Sequence, residues 1–194
     1  MNNLTATVAS VSSHTVQTFT SIMNHRHDAL AEKYHHTPAL AWITDVATTG
    51  QGSTDIKDPL HVDVDVAGFN IPLGVHPAVG GDGDDPVPGE MLCAALASCL
   101  DSTIRIIANR LAVELTHLQV TVSAEIDVRG TLKFKPTIPV AFQKMHLSVE
   151  METVAETKPE LESALLKAAE ASCVVMQTLK HPPEITTQFQ ARNL

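Results

Sequence analysis

The chain has 194 residues, of which 44% are apolar, enough for one sizeable core and most simply for one domain. Thirteen Lys and Arg stand against 22 Asp and Glu, and a formal charge of −9 argues against nucleic acid or anionic lipid as a partner. Its three cysteines, with no Cys-x-x-Cys pair, suit neither a disulfide scaffold nor a zinc ribbon and favour a reducing, cytoplasmic setting.

The start of the chain is polar and rich in Ser and Thr, and a weak helical repeat follows over residues 19–34. We predict an N-terminal helical extension over residues 1–38, followed by the main domain over residues 39–194. The first residues lack the charged and apolar regions of a secretory signal, and the longest largely apolar run, residues 91–100, is too short to span a bilayer. We therefore expect a cytoplasmic protein with no membrane partner.

Three extended segments come next in the main domain. Residues 39–47 are apolar with little alternation, which predicts a strand, and a Gly-containing turn follows at residues 49–53. Residues 61–66 alternate valine with polar side chains, which is typical of a strand, and residues 67–73 are predicted to be its hairpin partner. The loop over residues 80–88, rich in Gly, Asp and Pro, ends this sheet.

A long apolar helix and two alternating strands follow the loop. Apolar residues recur at steps of three and four over residues 92–111, which predicts a helix that is buried over most of its circumference. Residues 120–128 and 145–151 alternate apolar and polar side chains, which predicts two strands joined through residues 130–139. We expect both strands to lay one face on the buried helix.

The last third of the chain carries a second helix signal. Residues 157–160, Thr-Lys-Pro-Glu, form a capping box with Thr as the N-cap and Pro in the first turn. The helix that they open is predicted to pass Cys173 and to stop at the His-Pro-Pro sequence of residues 181–183. Residues 185–189 are then predicted to add a final edge strand.

The sequence leading into the long helix carries a family resemblance. Pro-Gly-Glu-Met-Leu at residues 88–92 runs into Cys-Ala-Ala-Leu-Ala-Ser-Cys, which ends at Cys99, and a second cysteine, Cys173, lies on the later helix. Together with the strands and the Gly/Asp loop, this combination resembles the OsmC/Ohr family over roughly residues 40–190. The resemblance implies an α+β fold in which curved antiparallel sheets wrap around central helices in an intertwined homodimer, with the active site at the dimer interface.

The resemblance also implies a function. By motif position, Cys99 attacks a small-molecule organic hydroperoxide and Cys173 resolves the sulfenic acid as a disulfide, which an external dithiol then reduces without any cofactor. This chemistry requires the two α-carbons to approach within about 7 Å. Cys93 has no counterpart in the motif and is left out of the site.

Two other classes of function stay open. In the first, the protein keeps the fold, binds a small apolar ligand at the dimer interface and uses its cysteines only as buried hydrophobes. In the second, it is a purely structural oligomer. An apolar wall that includes Leu92 and Leu96 would suit a fatty or aromatic ligand, although the same residues would also form an ordinary core.

The sequence departs from the pattern of the family's peroxidases in three places, one of which is Val174 directly after Cys173, where the family usually has Pro. The peroxidases have a Glu directly after the Pro of the motif, where this chain has Gly89; Glu90 follows one residue later, rotated by about 100° around a helix. They also have an Arg in an early Gly-rich turn, where this chain has Gln51. Arg26 or Lys57 are the candidates for the missing cation. Without one, the reactive thiolate is not favoured and we expect slow peroxide reduction.

Two groups of side chains raise a metal hypothesis, and we predict no metal site in either. The predicted N-terminal helix carries a group of histidines without ligand spacing to a carboxylate or thiol, which favours a solvated face: His25, His27, His35 and His36. Asp82, Asp84 and Asp85 resemble a calcium loop, but the twelfth position from Asp82 is Cys93 where such a loop needs Glu. We therefore interpret the aspartates as a solvated loop.

Overall fold

Helices and antiparallel sheets share the chain, and this confirms the predicted α+β class. The computed structural model describes residues 21–155 and 157–191. In chain order the elements are α1 (Ile22–His36), a 3-10 turn (Pro38–Ala41), β1 (Ala47–Thr49), β2 (His61–Val66), β3 (Phe69–Gly74), a second 3-10 turn (Pro77–Val79), α2 (Pro88–Arg110), β4 (Leu115–Glu125), α3 (Val128–Thr131), β5 (Lys144–Thr153), α4 (Pro159–Ser172) and α5 (Val174–Lys180).

The first sheet has the antiparallel order β1–β2–β3. The predicted hairpin is confirmed: β2 and β3 are joined by Ala67 and Gly68, whose φ angles of 54° and 84° make the two-residue turn that matches strand twist. The predicted strand over residues 39–47 is wrong. Pro38 begins a 3-10 turn instead, and β1 starts only where Ala47 finds Val66 as its partner.

The second sheet is a long antiparallel ladder between β4 and β5, and α2 packs against it. Both predicted strands are confirmed, but β4 ends at Glu125 rather than at residue 128. The reason is local: the Asp127 side chain accepts a hydrogen bond from the Arg129 N–H and caps the short helix α3.

The hydrophobic core lies between α2, α4 and this second sheet. Its buried members come from one stripe of α2, the turn after it, the inner face of α4 and the residue that follows α4: Leu96, Leu100, Ile104, Ala108, Val113, Leu165, Ala169 and Cys173. Because only one stripe of α2 is buried within this chain, the prediction of burial over most of its circumference is wrong for the single chain. By length and composition α2 could also cross a membrane, a test that the core helix of a soluble protein passes too, so it is weak evidence for a span.

The helix α1 confirms the predicted helix as far as the structure describes it. Ser21 caps α1 by accepting a hydrogen bond from the Asn24 N–H, and Asn109 accepts bonds from the Ser21 hydroxyl and the Met23 N–H. These bonds fasten the start of α1 to the end of α2. The polar stretch over residues 1–20 lies outside the described residues, and the boundary of the extension at residue 38 stays a prediction.

Two predictions about the C-terminal part are wrong. Thr157 is not the N-cap of α4, because the cap position falls on Lys158, whose side chain makes no capping hydrogen bond. In the first turn of α4, Glu162 accepts a hydrogen bond from the Thr153 hydroxyl at 2.5 Å. The predicted edge strand over residues 185–189 is irregular, and Ile185 and Phe189 are 83% and 90% exposed. An extended segment becomes a strand only with a neighbour to bond to, and the described part of this chain gives it none.

Candidate active site

Cys99 lies on the fourth turn of α2, and the start of that helix is set by its first residues. Pro88 occupies the first helical position, where its missing N–H costs nothing, and the Glu90 carboxylate accepts a hydrogen bond from the Val87 N–H at 3.0 Å. Glu90 therefore caps the helix. Cys99 is half-buried and packs against the core beside Leu100.

Cys173 lies at a break between two helices rather than inside one. α4 ends at Ser172 and α5 begins at Val174, while Cys173 itself has an extended backbone, with φ −72° and ψ 107°. The prediction of one continuous helix past Cys173 is therefore wrong. The Cys173 side chain is completely buried, at 0% exposure, among core residues that include Leu165.

The structure brings the two predicted site residues together in one core cluster. The Cys99 side chain lies close enough to Cys173 to shift the pKa of its thiol. Burial raises the pKa of the Cys173 thiol, and the interaction with Cys99 raises it further, while the nearby backbone N–H groups of Met176 and Val175 lower it. The thiol of Cys173 is therefore held in its neutral form. Cys93, six residues before Cys99 on α2, is a half-buried free cysteine.

Burial, backbone N–H groups and Cys99 are the main causes of the shift in the pKa of the Cys173 thiol. A cation for the site stays a prediction. Two cations elsewhere on the same helices are already paired: Arg105 with Asp101 at 2.5 Å, and Lys180 with Glu170 at 2.6 Å. Neither Arg26 nor Lys57 takes part in an ion pair that the described residues form.

Phe142 occupies the space beside Gly89, the position where the resemblance leads one to expect a glutamate. A Cβ atom at Gly89 would lie 3.0 Å from Cζ of the Phe142 ring, closer than side chains normally pack. A larger side chain at residue 89 would therefore have to move the ring. The sequence contained no signal for Phe142, because it belongs to the irregular segment before β5 and reaches α2 only through the fold.

An open apolar groove runs along α2 on the side of the second sheet. Its volume is about 570 Å³, and the Glu170–Lys180 ion pair lies at its edge. Its lining comes mainly from α2, β5 and the two last helices: Leu96, Leu100, Ile104, Met145, Leu147, Val149, Leu166, Met176 and Leu179. The predicted apolar wall is thus present at Leu96, which precedes Cys99 by one turn of the same helix.

Comparison with known proteins places this geometry in a family. The family described as OsmC-like protein matches residues 81–188, which hold the Gly/Asp loop, α2, the second sheet and both cysteines. The chain belongs to the OsmC-like family. No curated protein matches the sequence.

Solved structures give the same result for the fold of this OsmC-like protein. It is similar to an OsmC-like protein from Mycoplasma pneumoniae, with 15% identity, 72% of this chain and 89% of the other covered, and a TM-score of 0.57. It is also similar to an organic hydroperoxide resistance protein OsmC from Legionella pneumophila, with 17% identity, coverage of 72% and 90%, and a TM-score of 0.52. At such identities the similarity shows the fold, so the predicted family and the predicted OsmC-like fold of the chain are confirmed, while the intertwined dimer stays a prediction.

Proposed function

We propose that this OsmC-like protein is a thiol-dependent peroxidase for organic hydroperoxides, in which Cys99 attacks and Cys173 resolves. The proximity of the two cysteines in the core carries the proposal, because a sulfenic acid on Cys99 would form near the group that must remove it. The name of the Legionella pneumophila relative, an organic hydroperoxide resistance protein, supports the same substrate class.

The reaction takes two steps at Cys99. Its thiolate attacks the terminal peroxide oxygen, the O–O bond breaks, and the leaving alkoxide takes a proton to become an alcohol while Cys99 becomes a sulfenic acid. The Cys173 thiol then attacks the Cys99 sulfur, its proton passes to the departing hydroxyl, which leaves as water, and a disulfide joins the two residues. An external dithiol reduces this disulfide by exchange and is itself oxidised.

The surroundings of the two cysteines support this order of roles. Cys99 is half-buried and therefore within reach of a substrate, whereas Cys173 is completely buried and its raised pKa keeps it protonated. A neutral thiol is a poor nucleophile toward peroxide but lies next to the electrophilic sulfur once Cys99 is oxidised. The pairing also protects Cys99 from oxidation beyond the sulfenic acid.

We further propose a cytoplasmic homodimer as the working form. Large apolar side chains on the N-terminal part and the C-terminal segment are exposed in the single chain, among them Trp42 at 87%, Phe69 at 75% and Phe189 at 90%. Exposed apolar surface of this extent is typical of a surface that a partner covers. A second copy would also give the C-terminal segment a strand to pair with.

The test is consumption of cumene hydroperoxide with dithiothreitol as the reductant. Cys99→Ser should lower the rate to the uncatalysed level, and Cys173→Ser should reduce about one equivalent of peroxide and then stall or overoxidise. Cys93→Ser is the matched control and should keep the full rate. Turnover by Cys99→Ser equal to that of the wild type would exclude the proposed mechanism.

The apolar groove favours a second candidate, a binding protein for a small apolar ligand. The groove is open and is lined mainly by aliphatic side chains. A ligand of this kind retained through native mass spectrometry, together with thiols that survive stoichiometric cumene hydroperoxide, would favour the binder. If no ligand is retained and no thiol is oxidised, the protein is a purely structural oligomer.

A further inference from the structure

A mixed set of metal-ligating atoms converges outside the cysteine site, between the start of β2 and the loop before α2. One ligand atom each from His61, Asp84 and Asp85 lies within 4.8 Å of the others. The His61 Nε2 atom is 3.2 Å from both carboxylate oxygens of Asp84. Two ligands of one tetrahedral zinc ion are separated by about 3.3 Å, given bonds of about 2.0–2.1 Å. The spacing of these atoms therefore already suits a small cation.

A fourth side chain fixes the imidazole in the orientation that a metal ligand needs. The Nδ1 atom of His61 is 2.8 Å from the Asp58 carboxylate, which directs Nε2 toward Asp84 and Asp85. Asp58 is itself held, because its other oxygen accepts a hydrogen bond from the Leu60 N–H at 2.7 Å. A carboxylate bonded to the second nitrogen of a histidine is the usual outer partner of a metal-bound imidazole.

The backbone holds the loop with the two aspartates against the sheet. The Gly74 N–H donates to the Pro86 carbonyl at 2.9 Å, and Gly74 is buried. A Cβ at Gly74 would lie 3.4 Å from Asp85 Cβ and 3.7 Å from a carboxylate oxygen of Asp84, so both aspartates pack closely over this glycine. The ligand atoms thus come from two segments of chain held together independently of any ion.

The cluster of Asp58, His61, Asp84 and Asp85 carries a net negative charge, which favours the binding of a cation. Three carboxylates face one imidazole, so the group keeps an excess of negative charge even when the imidazole is protonated. Hydrogen bonds to Asp58 and then Asp84 raise the pKa of His61 to about 9, and the bond with His61 lowers the pKa of Asp84. The His61 imidazole is therefore protonated at neutral pH, and its Nε2 atom must lose a proton when a metal binds.

We propose that His61 Nε2 and the carboxylates of Asp84 and Asp85 bind a divalent first-row cation such as Zn²⁺ or Mn²⁺, with Asp58 as a positioning residue. One imidazole with two carboxylates is a borderline donor set, better suited to these ions than to Ca²⁺, which prefers oxygen alone. The cation would tie the loop to β2. Because Asp85 lies three residues before Pro88, it would also steady the start of the helix that carries Cys99.

The test uses MnCl₂ with the reduced full-length protein, because thiolates prefer softer metals and Mn²⁺ binding is read from the loss of its free-ion EPR signal. Wild type should bind one Mn²⁺ per chain, and ZnCl₂ should displace it. Asp85→Asn and, separately, His61→Gln should each weaken Mn²⁺ binding by about tenfold or more. Asp82→Asn is the matched control, because it removes the same charge from an exposed position of the same loop outside the cluster.

Binding that is weakened in Asp85→Asn and His61→Gln but not in Asp82→Asn would support the site. Equal binding in Asp85→Asn and Asp82→Asn, or no Mn²⁺ bound by wild type at millimolar concentration, would overturn it. Far-UV circular dichroism without metal checks that each variant is folded. The peroxidase assay is not used, so that a failure of this site is distinguishable from a failure of the proposed function.

Discussion

The two sheets differ in how they are covered, although both are antiparallel and both alternate apolar with polar residues. The sheet of β4 and β5 lies on α2 and α4, and the residues between them form the core that contains Cys173. The sheet of β1 to β3 contributes Leu73 as its only buried hydrophobic residue among those the structure describes, and Asp63 is its buried polar one. The two cysteines of the proposed thiol chemistry therefore lie in the packed region, whereas the charged cluster at His61 lies in a region that one chain leaves open.

The largest expected effect contrasts two leucines, one from each region. Leu165 is 0% exposed on α4, and Leu40, in the 3-10 turn before β1, is 49% exposed. Leu165→Ala should lower the free energy of unfolding by about 2–5 kcal/mol through lost burial and the cavity left behind. Leu40→Ala should lower it by about 0.5 kcal/mol or less, as for other exposed positions.

Denaturant unfolding of both variants measures this contrast. Similar decreases in the free energy of unfolding for Leu165→Ala and Leu40→Ala would contradict this difference between the two regions. They would show that the N-terminal region is packed in solution. Repeating the measurement at several protein concentrations then tells whether a second chain provides that packing.

A smaller effect on stability is expected from a substitution in the turn between β1 and β2. A Cβ at Gly52 would lie 2.1 Å from Asp63 Cβ, so Gly52→Ala must push the turn away and should cost about 1–3 kcal/mol. The move breaks the bonds that Asp63 accepts from the Thr54 N–H and hydroxyl, at 2.8 and 2.7 Å. Hydrogen exchange of the Thr54 amide should therefore become faster.

Gly50→Ala is the matched control in the same turn. Gly50 has φ 81° and nothing within 4 Å of a built Cβ, so its substitution strains the backbone without touching Asp63. Exchange of the Thr54 amide should stay slow in this variant. Fast exchange in both variants would mean that Asp63 does not hold the turn.

The next effect separates the two cysteines by their reactivity. Cys99 should be alkylated by iodoacetamide about tenfold or more faster than Cys173 at neutral pH, because thiolates react and Cys173 is buried with a raised pKa. Because the pKa of Cys173 is raised, its alkylation rate should rise only at a pH above the range where an ordinary thiol ionises. Peptide mapping after timed alkylation measures both rates, and equal rates at neutral pH would reverse the roles assigned here.

The smallest effect tests whether a second chain covers the open region. If a homodimer buries side chains such as Trp42 and Phe69, the thermal midpoint should rise by a few degrees, about 2–4 °C, for each tenfold increase in protein concentration. Sedimentation velocity over the same range gives the mass directly. A midpoint independent of concentration, with a monomer mass throughout, would contradict the proposed dimer.

Sequence periodicity predicted the elements whose partners lie near in the chain. The alternation of β2 and the turn at Gly68 fix a local hairpin, and the spacing along α2 fixes a helix. The strands predicted over residues 39–47 and 185–189 failed for the same reason in both places, because an apolar run does not reveal whether a neighbouring strand exists to accept its hydrogen bonds.

The site was predictable only in part. The cysteines could be chosen from the family resemblance, but the break that turns Cys173 into the core has no Gly or Pro to announce it. Phe142 beside Gly89, and Asp84 beside His61, depend on tertiary contacts between an irregular segment and the start of a helix or strand, 23 residues apart in the second case. Such contacts follow from how the loops pack, which no local pattern records.

The most direct test of the central claim is a peptide map after a limiting dose of cumene hydroperoxide. The account predicts that two thiols disappear per chain, that a disulfide joins Cys99 to Cys173, and that Cys93 stays free. Thiols that remain intact, or a disulfide that involves Cys93, would contradict it.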